Sequence, residues 1–309
     1  MRLTITGGAG FIGSNLATLA VARGHEITII DDLSTGDREN LQVEHRFLHA
    51  SILDRPALDE ALADADAVVH LAAIASVPLS IEDPLATNEV NVRGTLEVLD
   101  AARHLGVSQV TVASSSAVYG SNSSLPLNES SWLAPLSPYA VSKVATEQYA
   151  RAYSESYGLP TAAFRFFNVY GPGQPADHVY AAVIPAFLDA LVHGRPLTIY
   201  GDGLQTRDFV HVRAVCRILL DAVERRADID RPVNLALGTQ TSLLELVGLL
   251  EEIAGQSIQV THQEPREGEI RHSLAGDALL RRLFPALPEI PLRDGLKETL
   301  AWHQARMSR

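Results

Sequence analysis

Tyr139 and Lys143 stand four residues apart, directly behind Ser137-Pro138. A serine before an early proline caps a helix start, and a spacing of four puts phenol and ammonium on one helical face. A lysine cation beside a phenol stabilises the phenolate. It lowers the phenol pKa from its reference near ~10 toward neutrality, where tyrosine serves as general base toward a hydroxyl. Ser114, Ser115 and Ser116 directly follow a predicted strand at Gln109 to Ala113. Parallel α/β sheets bind ligands at the carboxyl ends of their strands, so these hydroxyls are expected beside the tyrosine. The chemistry they suit is proton transfer to and from a substrate alcohol.

A second group of residues supplies a partner for that chemistry. Leu3 to Thr6 alternates apolar and β-branched residues and predicts a buried strand. Gly7, Gly10 and Gly13 follow at G-x-x-G-x-x-G spacing, then a periodic apolar segment from Phe11 to Val21. Strand, glycine turn and helix form a phosphate cradle, because glycine admits a pyrophosphate to the backbone and the helix start attracts the anion. A second apolar strand at residues 26–30 ends on Asp31 and Asp32, and Asp31 lies 18 positions after Gly13. An acid there holds both hydroxyls of an adenosine ribose and repels a 2′-phosphate, which favours NAD over NADP. The nicotinamide cation of NAD would add to the effect of Lys143 on Tyr139.

The rest of the chain must position these groups. Strands and helices alternate through its first two-thirds: Arg46 to Leu48, a helix after Asp54 and Pro56, Val68 to Ala73, and a long helix from Asp83-Pro84 to near Gly106. Leu33 to Asn40 reads as a polar loop over the adenine. Later come strands at Ala162 to Phe167, Leu197 to Tyr200, Val233 to Leu237 and Ile258 to Thr261. Helices are expected at 179–193 and from Ser242 to Ala254, with Gly255 past the end of the second. The expected fold is α/β: a Rossmann-type doubly wound parallel sheet with a smaller C-terminal substrate-binding lobe. The dinucleotide domain is expected over 1–168, receiving segments from about 205–240, with 169–309 mainly the lobe.

With 309 residues and 46% hydrophobic content, the chain is ample for such a core. A net charge of −12 without a basic run speaks against nucleic acid and anionic membranes. Cys216, the single cysteine, excludes an internal disulfide and fits a reducing compartment. A strand at the very start and the lack of a long apolar run predict a soluble cytoplasmic protein. No metal site is expected.

The motifs together resemble the extended short-chain dehydrogenase/reductases acting on nucleotide sugars, most closely the UDP-hexose 4-epimerases, over essentially the whole length. The marks in the first half are Gly-Gly-Ala-Gly-Phe-Ile-Gly at 7–13, Asp-Asp-Leu-Ser-Thr-Gly at 31–36, His-Leu-Ala-Ala at 70–73, Asn-Val-Arg-Gly-Thr at 91–95 and Ser-Ser-Ala-Val-Tyr-Gly at 115–120. Those that follow are Tyr-Ala-Val-Ser-Lys at 139–143, Phe-Phe-Asn-Val-Tyr-Gly-Pro at 166–172, Gly-Asp-Gly-Leu-Gln-Thr-Arg-Asp-Phe at 201–209 and Pro-Arg-Glu-Gly-Glu-Ile-Arg-His-Ser at 265–273.

The resemblance implies a catalytic trio of Ser115, Tyr139 and Lys143. In it Tyr139 removes the O4 proton while C4 passes a hydride to NAD, Ser115 hydrogen-bonds the same oxygen, and Lys143 holds the nicotinamide ribose. The 4-keto sugar turns over in the pocket and the hydride returns to its other face. NAD is implied to lie against Gly7, Gly10, Phe11, Ile12, Gly13, Asp31, Asp32, Ser34, Thr35, Gly36, Ser51, Ile52, Leu71, Ala72, Ala73, Asn91, Ser114 and Phe166, besides Tyr139 and Lys143. The UDP-sugar is implied to meet Ser76, Ser115, Ser116, Tyr139, Asn168, Ala182, Val183, Tyr200, Arg207, Arg266, Glu269 and Ser273. Arginine forks suit the diphosphate. A homodimer through the helices near 84–105 and 138–157 is also implied, with Tyr149, Ala150, Tyr153 and Tyr157 as packing residues.

Departures from the family pattern sharpen the reading. Ser51 stands where many relatives carry an acid that reads the adenine, Ala75 where epimerases carry a lysine, and Glu269 in place of an aspartate. The 4,6-dehydratases need an Asp-Glu pair where this chain has Ser116 and Ala117, and alanine moves no proton. UDP-glucuronate epimerases show Thr for Asn168 and Arg for Pro175; neither is present, which also weakens a decarboxylase. Ser273, at the position thought to gate an N-acetyl group, is small, and with Ser76–Ser80 and Tyr180–Pro185 it predicts tolerance of UDP-GlcNAc and UDP-GalNAc alongside UDP-Glc and UDP-Gal. A dTDP-sugar, or a relative that binds NAD without catalysis, are the other readings.

Overall fold

The computed structural model describes residues 1–176, 182–265 and 270–307. Among the described residues thirteen strands run in chain order: β1 (Arg2–Thr6), β2 (Glu26–Asp31), β3 (Arg46–His49), β4 (Ala67–His70), β5 (Val110–Ser115), β6 (Thr161–Phe166), β7 (Asn168–Tyr170), β8 (Leu197–Tyr200), β9 (Thr206–Arg207), β10 (Phe209–His211), β11 (Val233–Leu235), β12 (Thr241–Ser242) and β13 (Val260–Gln263). The helices are α1 (Phe11–Ala22), α2 (Arg55–Leu62), α3 (Val77–Glu82), α4 (Pro84–Asn88), α5 (Gly94–His104), α6 (Pro138–Tyr157), α7 (Val183–Val192), α8 (Val212–Glu224), α9 (Leu243–Ala254), α10 (Ala278–Leu283) and α11 (Leu292–Met307).

Seven strands form one sheet in the order β11-β6-β5-β4-β1-β2-β3, parallel throughout. The order reverses between β1 and β4, which opens the ligand crevice of a doubly wound fold there. Strands covered on both faces read as continuous apolar runs. Ile29 and Val69 enter a core with α1 and α8, while their neighbours Ile30 and Val68 enter a second core with α2 and α5. A third core gathers Phe187, Leu197, Phe209, Leu246 and Leu300 from α7, β8, β10, α9 and α11.

Local chemistry sets the element ends that matter. Asp54 caps α2 by accepting from Ala57 N, and Ser137 caps α6 by accepting from Ala140 N. Ser242 and Glu245 form a reciprocal capping box on α9, and Gly255 ends it in the left-handed conformation. The helix expected from Asp83 to near Gly106 is interrupted: a π-helical turn at Glu89–Arg93 joins α4 to α5. A π turn inserts one extra residue per turn and re-aims the chain without ending the helix. The strand expected at Val68 to Ala73 stops at His70, leaving Leu71 to Ala73 as a loop at the sheet edge of the crevice.

Candidate active site

The cradle is built from backbone. Gly7 has φ +68°, and a Cβ there would lie 2.6 Å from Ala72 N. A Cβ on Gly13 would lie 2.5 Å from Gly7 O, so the turn closes only with glycine at both places. α1 begins with no side-chain cap and no acid in its first turn. Its leading N–H groups, on Phe11, Ile12 and Gly13, are therefore unclaimed by side chains and suit a diphosphate.

Asp31 is buried at the end of β2, where Oδ2 accepts from Ala9 N at 2.9 Å and Oδ1 from Leu33 N at 2.8 Å. Burial pushes its carboxyl up, against the pull of those two amides. Asp32 is exposed and accepts from Ser34 N at 3.0 Å. Ser34 and Thr35 are exposed, and Gly36 closes over Asp31 and Ala9. Ser51 accepts from Leu53 N at 3.2 Å, and Ile52 is packed into the second core. Leu71, Ala72 and Ala73 flank the cradle, with Ala72 N donating to Thr6 Oγ1 at 3.2 Å.

The proton-transfer groups meet at the end of β5. Ser115 ends the strand, with its hydroxyl facing the Tyr139 phenol and accepting from Ala117 N at 3.2 Å. Lys143, one turn along α6, is buried and donates from Nζ to Ala113 O at 3.0 Å, with Nζ 5.9 Å from the Tyr139 ring centroid. Burial pulls Lys143 down to about 8. Burial also raises the Tyr139 pKa, against the lowering effect of Ser115. The expectation of a phenol near neutrality joined Lys143 to the cation of bound NAD; in the chain by itself burial prevails. Desolvation disfavours the charged phenolate, and the Lys143 ammonium is bonded to Ala113 O.

Two expected cofactor contacts are turned elsewhere. Asn91 gives its whole amide to the protein: Oδ1 accepts from Ile74 N at 2.8 Å, and Nδ2 donates to Ile74 O at 3.1 Å and Ser142 Oγ at 3.0 Å. It clamps the loop after β4 to α6. Ser114 donates from Oγ to Glu147 Oε1 at 2.5 Å and points into the core of the protein. Phe166 is half-buried at the end of β6.

The residues expected to meet the sugar nucleotide come from distant segments. Asn168 opens β7 and donates its backbone N–H and side-chain amide to Asp208 O at 3.2 and 3.1 Å. The Asp208 carboxylate is fully buried and accepts from Leu237 N, Gly238 N, Ala275 N and the Thr239 hydroxyl at 3.0–3.4 Å. Arg207 donates to Thr206 O and Arg271 O, and Ser273 N bonds Thr206 O at 3.1 Å, which makes the two neighbours. Ser116 and Ser76 are half-buried, the latter capping α3. Ala182 is exposed at the start of α7 with Val183 beside it, and Tyr200 ends β8 half-buried. Arg266 and Glu269 lie outside the described residues, as does Tyr180.

Sequence reasoning missed the polar groups beneath the site. His70 Nδ1 accepts from Thr6 Oγ1 at 2.8 Å, and its Nε2 lies 3.1 Å from Thr95 Oγ1, which itself donates to Asn91 O. Burial, helped by Lys143, pulls His70 down to about 3 and keeps it neutral. Glu147 and Arg165 form a buried bidentate pair at 2.8 and 2.8 Å. Glu147 stands at the next four-residue step after Lys143, a visible signal; Arg165, inside an apolar strand, had none.

The parallel seven-stranded sheet agrees with the fold of known proteins. The NAD dependent epimerase/dehydratase family matches residues 3–238, and the chain belongs to it. It is an enzyme family whose cofactor is NAD. The UDP-glucose 4-epimerase of Mycolicibacterium smegmatis is 37% identical over 311 residues, covering 97% of each chain. The UDP-N-acetylglucosamine 4-epimerase of Methanobrevibacter ruminantium M1, solved with UDP-N-acetylmuramic acid, superposes with a TM-score of 0.95 at 37% identity and 99% coverage of both chains. A dTDP-glucose 4,6-dehydratase from Streptomyces griseus is 35% identical, over 99% of this chain and 95% of that one.

Proposed function

We propose that the protein interconverts UDP-hexoses at C4 through a 4-keto intermediate. The observation that carries this is the Ser115–Tyr139–Lys143 grouping at the strand end beside the cradle, combined with Ala117 two residues past Ser115. A dehydratase needs a further proton donor there, and alanine has none.

Gly7, Gly10, Gly13 and the start of α1 hold the cofactor's diphosphate. When bound, NAD supplies reversible two-electron oxidation at the sugar carbon. Tyr139 takes and returns the O4 proton, Ser115 orients that oxygen, and Lys143 supports the phenolate from the adjoining turn. Asn168 and Arg207 face the nucleotide diphosphate, and Arg266 and Glu269 complete that end. Ser273, beside Arg207, leaves room for an N-acetyl group, so UDP-GlcNAc and UDP-GalNAc are substrates beside UDP-Glc and UDP-Gal.

The test is an NMR time course on NAD-loaded enzyme with UDP-GlcNAc and UDP-Glc in parallel. Both should equilibrate with their 4-epimers. Conversion of UDP-Glc alone sinks the role of Ser273. Conversion of neither, while a dTDP-sugar or a uronate reacts, sinks the substrate reading.

The same reading places residues 1–168 in a cofactor domain and most of 169–309 in a sugar-binding lobe, in a cytoplasmic homodimer. The pairing face is the outer stripe of α6, where Val141 and Tyr149 are exposed on one side, with Leu85 exposed on α4. Ala150 is buried in the chain's own second core, and Tyr153 packs against it part-buried. Sedimentation velocity should give twice the chain mass, and Val141→Glu with Tyr149→Glu should give monomer.

A further inference from the structure

α6 grips β5 at three successive turns. Tyr139 faces Ser115, Lys143 donates to Ala113 O at 3.0 Å, and Glu147 accepts from the Ser114 hydroxyl at 2.5 Å. The first two rungs belong to the proton-transfer site. The third does not, yet it is the one fixed on the far side. Glu147 has a side chain with 0% exposure, paired in bidentate fashion with Arg165, itself 4% exposed. Arg165 also donates to Tyr119 OH at 2.8 Å, and Tyr119 donates to Asn234 Oδ1 at 2.6 Å. The chain of bonds thus runs from α6 through β6 to β11.

A buried ion pair is weak evidence for stability, since desolvation offsets much of its attraction; what such a pair does supply is a fixed geometry. Here it holds Glu147 in the one orientation that receives Ser114. Ser114 and Ser115 are consecutive, and adjacent side chains on a strand point to opposite faces. Fixing Ser114 toward Glu147 therefore fixes Ser115 toward the crevice and Tyr139.

We propose that Ser114 and Glu147, backed by Arg165, are positioning residues for the Ser115–Tyr139 couple. The inference rests on the reading of Tyr139 as the proton-transfer group. It makes the third rung a determinant of turnover rather than of ligand binding, because the Ser114 hydroxyl and the Glu147 carboxylate are already paired within the protein.

The test is steady-state kinetics on NAD-loaded enzyme. Ser114→Ala deletes the rung and leaves the Glu147–Arg165 pair intact. Its kcat should fall about tenfold to a hundredfold, the scale of a sub-ångström misplacement, with KM, bound NAD and melting temperature near wild type. Ser114→Thr, which keeps the hydroxyl, should recover most of the loss. Glu147→Gln, which keeps an acceptor without the charge, should fall between wild type and Ser114→Ala in kcat. A wild-type kcat in Ser114→Ala, or a defect lying in KM or NAD retention, overturns the proposal, whether or not the threonine variant folds. Tyr139→Phe runs beside it. If that variant is dead while Ser114→Ala is unimpaired, positioning alone is wrong; if Tyr139→Phe still turns over, the underlying reading fails first.

Discussion

The two ends of the crevice are made by different means. The cofactor end is local and built from backbone: a single stretch from β1 through the glycine turn to α1 supplies the cradle, and β2 adds Asp31. The end we propose for the sugar nucleotide is assembled from β7, β9, the turn after β11 and residues 273–275, held together by one buried carboxylate, Asp208. The difference teaches where each half is vulnerable. Backbone sites fail through sterics at a glycine, and assembled sites fail through a lost hydrogen-bond hub.

The largest effect should come from the cradle. Gly7→Ala puts a methyl 2.6 Å from Ala72 N at a φ of +68°. We expect loss of bound NAD and destabilisation of at least about 3 kcal/mol, read by absorbance of the purified protein and by denaturant melts. A variant that retains NAD and stability would show the cradle to be plastic.

Asp208→Asn attacks the other half. An amide offers one acceptor oxygen where the carboxylate serves three backbone N–H groups and a hydroxyl, and its own N–H₂ opposes one of them. The expected cost is about 2–3 kcal/mol, with weaker sugar-nucleotide binding and normal NAD content. Loss of NAD instead would erase the division between the two ends.

Arg207→Ala should raise KM for the nucleotide sugar about tenfold and leave NAD retention unchanged, the loss expected of one charge-assisted contact. An unchanged KM would remove Arg207 from the diphosphate.

The effect smallest at neutral pH lies beneath the cofactor end. His70 is neutral when folded, with its pKa pulled to about 3 from 6.5. Between those values the unfolded chain takes a proton that the folded protein refuses, so stability is complete above pH 6.5 and falls as pH drops through the window. The contribution to the slope approaches about 1.4 kcal/mol per pH unit. His70→Asn should flatten that part of a stability–pH curve from urea melts. An unchanged slope would mean that His70 protonates in the folded state without penalty.

Much of this was legible in the chain. The cradle, the strand ends and the helix caps follow from glycine spacing, apolar runs and Ser, Asp and Pro at helix starts, because those signals act within a few residues. The direction of a side chain was not. Asn91 and Ser114 stand at motif positions that suggest ligand contacts, yet their polar atoms answer to Ser142, Ile74 and Glu147, partners 17 to 51 residues away. The π turn before α5 had no local mark, since its extra residue is accommodated by packing against α6.

By itself, then, the sequence determined that a strand, a glycine turn and a helix would make an anion cradle, and that Tyr139 and Lys143 would share one helical face. Both outcomes depend on backbone geometry over one or two turns. Tertiary structure alone decided that α6 would lie along β5 with Ser115 against Tyr139, and that burial would leave the phenol above its ordinary pKa. It also decided that Asp208 would gather Asn168 to the turn after β11. Desolvation and long-range hydrogen bonds exist only once the sheet has closed, and no local pattern encodes which partner each buried group will find.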